Sequence, residues 1–404
     1  MPVNVAELDL HTFEEPQREL TRDEWRVAVA AARAKHPYLA RNLFGYAVTS
    51  HAHSQGILRE RRFWSALAYI PQLAGMDPET TGLGGRPSIL STEGDEHGRL
   101  RRLVAPAFTP KAAERLRPFM RQVIERLVDA ASVGGECELM ADVCEPYPIP
   151  IICELLGAPA ADWKLFSEWA TDLLRIFNGD LANDLPRIVA VRQHLDEYVG
   201  ALIEERRADP RDDLLSTLIA AEEAGDRLSS DELMSMAQAV LVAGTDTTRN
   251  QLGCAVALFA QHPDQWRLLV ENPELTPRAV EETMRYLGAV RGTARISSED
   301  VEYDGVLFPK GTFVFPSFVA ANFDGDVFAD PDRFDITKES SHAPHLTFGS
   351  GIHYCLGAWL ARAELQEALP VLAERWPNLR LNGEVEWKPP QFGIWGPARL
   401  PIAW

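Results

Sequence analysis

Residues 229–261 constrain the fold more than any other stretch, because they form a helix-period run with almost no polar side. Ser229 with Glu232 makes a capping box at its start, and His262-Pro263 ends it. At 1.5 Å per residue such a helix spans roughly 45 to 50 Å. Leu233, Met236, Ala239, Val240, Leu241 and Val242, then Ala255, Val256, Leu258 and Phe259, are apolar nearly all round, so the helix should run through the middle of the molecule. That makes its polar centre costly. Gly244, Thr245, Asp246, Thr247 and Thr248 put a helix-weakening glycine, a carboxylate and three hydroxyls where the flanks demand burial. Threonine hydroxyls bonded to carbonyls four residues back would bend the helix, a purely structural use. The functional alternative is a distorted turn that opens a groove in which an acid and an alcohol pass protons.

Around this run the chain reads as helices with a small β portion. Helical patterns cover 20–36, 54–61, 111–132, 142–156, 160–177, 185–208 and 278–287, separated by Gly and Pro breaks. Residues 44–48 read as a short strand, and 291–317 change toward a period of two. Residues 63–90 are irregular and rich in Gly and Pro, and a long stretch of that kind inside a compact chain is usually functional or mobile. Its apolar members, among them Phe63, Leu67 and Ile70, are candidate pocket contacts and equally ordinary core.

Forty basic against fifty-nine acidic side chains, a net charge of −19, argue against a nucleic-acid function, which needs a basic face. The balance is uneven, however. Between His97 and Arg121 the chain carries Arg99, Arg101, Arg102, Lys111, Arg115, Arg117 and Arg121 against Glu114 alone, either a solvated face or a docking patch for an acidic partner. No run of about eighteen apolar residues exists and the start lacks a secretory pattern, so a soluble, cytoplasmic chain without a membrane anchor is expected. Five cysteines, an odd number without CxxC spacing, speak against a disulfide framework or zinc site.

One of those cysteines is different. In residues 345–364, HLTFGSGIHYCLGAWLARAE, Cys355 lies between a glycine-rich loop and a helix-forming pattern. At a helix N-terminus the free N–H groups and the dipole would favour a thiolate. Gly351 and Gly357 would let backbone approach something large and flat. The pattern Phe348, Gly349, Gly351, His353, Cys355, Gly357 resembles the haem-ligating loop of the cytochrome P450 family at six positions in ten residues. The resemblance continues in AGTDTT (243–248), like the family's oxygen-activation motif with its acid-alcohol pair. It extends to H-x-x-x-R at His97 and Arg101, and to E-x-x-R at Glu282 and Arg285 with Arg333 in DPDRFD.

These matches imply a mainly α fold with a small β portion, one large domain over residues 1–404. Residues 1–40 match least, 63–90 lid the distal pocket, 229–261 cross above the haem and 345–364 present the thiolate. They imply haem b with Cys355 as axial ligand and dioxygen as co-substrate. Phe348 and Gly357 lie beside the sulfur, Ala243 and Gly244 over the haem, and His97, Arg101, Arg295 and His353 at the propionates. Asp246 and Thr247 form the proton relay, and Glu282, Arg285 and Arg333 a buried salt-bridge network. Phe63, Leu67, Ile70, Val242, Ala243, Thr247, Val290, Phe392 and Ile394 are the substrate-pocket candidates. With no G-x-G-x-x-G after a strand, electrons come from outside, from a ferredoxin-type donor docking near Arg99, Arg102, Lys111 and Arg115. The expected activity is insertion of one oxygen atom into a terpenoid, steroid, fatty acyl or aromatic molecule, by a monomer. Two alternatives stay open: a peroxide-driven or otherwise non-monooxygenase haem-thiolate enzyme, and a non-enzymatic haem carrier or sensor.

Overall fold

The computed structural model describes residues 2–404 except 14–21, 43–44, 74, 76–85, 178–179, 224–227, 340–342 and 389–393. The described chain forms helices α1 (Arg22–Lys35), α2 (His51–Arg59), α3 (Ile70–Leu73), α4 (Gly94–Val104), α5 (Pro110–Ala131), α6 (Pro148–Leu156) and α7 (Trp163–Leu173). It continues through α8 (Leu181–Ala208), α9 (Leu214–Glu223), α10 (Ser230–Gln261), α11 (Pro263–Glu271), α12 (Thr276–Tyr286), α13 (Phe318–Asn322) and α14 (Ala358–Arg375). The fold is mainly α with a small β portion, as the patterning implied.

Helix α10 begins where the capping box places it. The Ser229 side chain accepts from the Glu232 N–H, and the Glu232 carboxylate accepts from the Ser229 N–H in return. From Thr248 to Phe259 every residue is buried, so the helix threads the core with α6, α7, α12 and α14 packed about it. The pattern over 142–156 resolves differently: Met140–Cys144 form a π-helical turn, and α6 starts only at Pro148, whose missing N–H suits a first turn. Helices α5 and α14 lie side by side and are tied by Arg117 to Glu367 at 2.9 Å.

The main sheet has five strands in the order Leu39–Asn42, Gly45–Val48, Phe313–Pro316, Arg295–Ser297, Phe63–Ser65. Pairing sets Arg295 opposite Val314 on one side and Ser65 on the other, on the strand next to the sheet edge. The first residues of the segment read as irregular are thus an edge strand. Its alternation buries Phe63 in a separate apolar cluster against Phe308, ring centroids 5.4 Å apart, and this removes Phe63 from the pocket candidates. Among the described residues no helix is long and apolar enough to cross a membrane.

Candidate functional site

A cavity of about 710 Å³ lies between α10 and the loop before α14. That is an ordinary volume for a small-molecule site. His97 and Arg101 reach it from α4, Arg295 from the sheet, and Phe348, Gly349, His353, Cys355 and Gly357 from the loop. Ala239, Val242, Ala243, Gly244 and Thr247 line it from α10. Leu67, Ile70, Leu174, Ile176, Val290 and Ile394 close the apolar remainder. Phe392 lies outside the described residues.

Cys355 is the only cysteine among the described residues that lines this cavity, and it is exposed to it. Its N–H donates to the Phe348 carbonyl at 2.9 Å, which fixes the loop. Helix α14 starts three residues later with Gly357 as its N-cap, so the sulfur sits ahead of the helix rather than on its first turn. Burial pushes the Cys355 thiol up, against the pull of the Gly357 N–H, Arg101 and Arg362. The Gly357 N–H at the start of α14 thus favours the thiolate, as expected, while burial opposes it. A coordinated metal would deprotonate the thiol outright. Gly357 fits the expected close approach, because an added Cβ there meets nothing. Gly351 does not: at φ +73° its missing Cβ would stand 2.1 Å from the Leu58 carbonyl oxygen, so it serves packing on α2. Phe348, whose carbonyl takes the Cys355 N–H, lines the same cavity, with the Arg362 guanidinium 4.4 Å over its ring.

Four basic side chains gather at one end. Arg101 donates to the carbonyls of Ile352 (3.0 Å) and Tyr354 (2.7 Å), bracing the cysteine loop. His97 is buried, its ring 4.5 Å from that of His353. Burial, then the charges of His353 and Arg101, push its pKa down to about 4. Among the described residues the buried His97 Nε2 has no hydrogen-bond partner, although His97 lines the cavity. Arg295, buried and pushed down to about 10 by that burial, donates to Thr293 Oγ1 (3.2 Å) and the Ala294 carbonyl (3.1 Å). An orphaned imidazole nitrogen and an arginine without an ion pair among the described residues call for an anionic ligand. One thiol, an anion-binding end and an apolar remainder are what haem b, with its two propionates, would fit.

On α10 the Thr247 hydroxyl donates to the Ala243 carbonyl at 2.8 Å, and Thr245 bonds Leu241 likewise, so the helix continues unbroken through 243–248. Gly244 is required by α6, since a Cβ there would come within 2.6 Å of Ile152. Asp246 does not join Thr247. Its carboxylate is buried beneath the cavity wall, ion-paired to Arg249 and 3.9 Å from Lys388 Nζ. Arg249 in turn donates to Ser167 (2.8 Å) and Thr171 (2.7 Å) of α7. Neighbours in a helix point about 100° apart, and here the cations lie on the Asp246 side.

Among the described residues, the acid that lines the cavity is Glu364 of α14, which the motif reading missed. Burial pushes its pKa up to about 8, although the Thr248 hydroxyl, donating at 3.1 Å, pulls it down. Its signal was a carboxyl inside the buried stripe Leu360, Ala363, Glu364, Ala368.

The Glu282–Arg285 pair is buried and bidentate at 2.7 and 2.8 Å. Arg285 also donates to the carbonyls of Asn322 and Pro331. Arg333 is a correction: it offers Arg285 only its backbone carbonyl, at 3.4 Å, while its side chain is 64% exposed and pairs with Asp335. Arg99 is a second, being committed to the buried Glu232 at the head of α10.

The family model for cytochrome P450 matches residues 160–272 and 269–376. Nocardicin C N-oxygenase of Nocardia uniformis subsp. tsuyamanensis is 39% identical over 93% of this chain and 94% of its own. The mycinamicin IV hydroxylase/epoxidase of Micromonospora griseorubida is 38% identical over 88% and 89%. Among solved structures, CalO2 superposes with a TM-score of 0.87 at 31% identity, over 97% of this chain and 98% of that one. With its fold, its cavity and its sequence relatives in agreement, the chain belongs to the cytochrome P450 family.

Proposed function

We propose that Cys355 is the axial thiolate of haem b in this cavity, with the propionates held by His97, Arg101, Arg295 and His353, and that the apolar remainder binds an apolar small molecule for oxygenation. Membership makes the protein a monooxygenase that uses haem, a cysteine thiolate and dioxygen. The observation that carries the residue assignment is one cavity-lining thiol facing a cluster of basic groups that includes the unpartnered His97 Nε2. Bound there, haem b supplies dioxygen activation and transfer of one oxygen atom.

The chain's own residues do the rest. Leu67, Ile70, Leu174, Ile176, Val242, Val290 and Ile394 desolvate a terpenoid, steroid, fatty acyl or aromatic substrate, and their apolar lining supports that range. Thr247 Oγ1 holds a proton at the cavity wall, and Glu364, neutral below about pH 8, is the cavity-lining acid behind Thr248. Electrons come from an external ferredoxin-type donor. Arg102, Lys111 and Arg115 are exposed, which supports docking of an acidic partner on that face.

Cys355→Ser tests the assignment. The reduced, carbon-monoxide-bound variant is expected to lose the absorption band of thiolate-ligated haem, and an unchanged band overturns it. Turnover with a reductase chain, and none with peroxide alone, is the outcome expected of the oxygen-using reading.

A further inference from the structure

Glu93 is the N-cap of α4, yet its carboxylate makes no capping bond to its own helix. A shorter side chain such as aspartate in that position ordinarily accepts from the N–H two or three residues on. Here Oε1 instead turns into the cavity wall, where it meets His353 Nε2 at 3.0 Å and the Ser65 N–H at 2.5 Å. Ser65 Oγ also donates to the Leu90 carbonyl at 2.8 Å, so the same corner ties the edge strand Phe63–Ser65 to the entry of α4. Leu67 and Ile70, just beyond that strand, line the cavity. One acidic oxygen thus joins the cysteine loop, the sheet and the substrate wall.

The His353 ring has two nitrogens. With Nε2 engaged by Glu93, the ring's orientation is fixed and Nδ1 is the nitrogen left for another partner. The neighbouring His97, 4.5 Å away ring to ring, has its own buried nitrogen without a partner, an independent sign that this end receives an anion.

We propose that Glu93 is a positioning residue of the haem pocket, which aims His353 at a propionate and anchors that aim to the substrate wall through Ser65. This rests on the assignment of His353 to the propionate end. A carboxylate that orients a ligand-binding histidine acts in the same way at metal sites, where its removal typically weakens binding about 10- to 100-fold.

The test is the rate at which ferric holoenzyme loses haem to excess apomyoglobin, read for wild type, Glu93→Ala, His353→Ala and the double variant. Glu93→Ala is expected to speed the loss about 10-fold. In the His353→Ala background the same substitution should add nothing, because Glu93 acts through that ring. Glu93→Gln keeps the accepting Oε1 and should stay close to wild type. If Glu93→Ala does not load haem, Glu93→Asp, which withdraws the oxygen by one methylene, is read in its place against the same double variant design. A wild-type rate in Glu93→Ala, or in Glu93→Asp where that is read in its place, overturns the proposal, as do two substitutions whose effects simply multiply, the result expected if Glu93 only steadied α4. A wild type that takes no haem overturns the haem assignment and this inference together.

Discussion

Two carboxylates flank the middle of α10, equally withdrawn from water and treated in opposite ways. Asp246, 4% exposed, has Arg249 and Lys388 against it. Glu364, 2% exposed, has one hydroxyl. Depth therefore does not decide the charge carried by a buried acid; the neighbours do. Two cations make Asp246 half of an ion-paired brace between α10 and α7, whereas a lone Thr248 leaves Glu364 neutral over most of the physiological range. The ion-paired acid bridges to α7 through Arg249. The neutral acid is on the side that lines the cavity.

The largest expected effect breaks the brace. Asp246→Asn leaves the buried Arg249 and the half-buried Lys388 without their anion, and removing one partner of a buried pair costs roughly 3 to 5 kcal/mol. A denaturant midpoint within error of wild type would mean that Asp246 contributes nothing as an anion, and the contrast with Glu364 would collapse. Substitution of the second acid has an effect that depends on pH. Glu364 has a folded pKa near 8, above the ordinary carboxylate value of 4.5, so between those values the unfolded chain binds fewer protons than the folded one. Stability owed to the neutral form is full below about pH 4.5 and drains away as pH rises toward 8, at about 1.4 kcal/mol per unit for a single group. Glu364→Gln cannot lose a proton. It should match wild type near pH 5 and become the more stable protein by pH 8, and parallel pH profiles for the two would sink the assignment.

Why one acid was legible and the other not is a matter of range. The bounds of α10 could be read because the Ser229 and Glu232 capping box and the burial around the helix are local facts, and the cysteine loop because its glycine, histidine and thiol spacing is local too. Side-chain direction is not local. Asp246 and Thr247 are neighbours in the chain, but Arg249 and Lys388 hold the first while the second lines the cavity. Arg333 could be seen as a member of the Glu282–Arg285 network, but not that it would contribute its carbonyl while Asp335 kept its guanidinium outside. Phe63 found Phe308 from a distant strand, a pairing no window of sequence contains. Glu364 was hidden because a glutamate among leucines and alanines on a helix ordinarily marks the wet face.

The smallest effect is the sharpest probe of what holds Glu364. Thr248→Val preserves shape and removes the one hydroxyl that donates to the carboxyl, at 3.1 Å. Near pH 5, where the acid is neutral, the lost hydrogen bond should cost only about 0.5 to 1.5 kcal/mol. That hydroxyl is also what pulls the Glu364 pKa down against burial, so without it the folded pKa moves higher still. The decline in stability should then continue past pH 8, where wild type has levelled off, and the gap between the two proteins should widen at pH 9. Denaturation at pH 5, 8 and 9 reads both parts. A constant gap would mean that the hydroxyl is bound elsewhere, and that burial alone sets the charge of the acid beside the cavity.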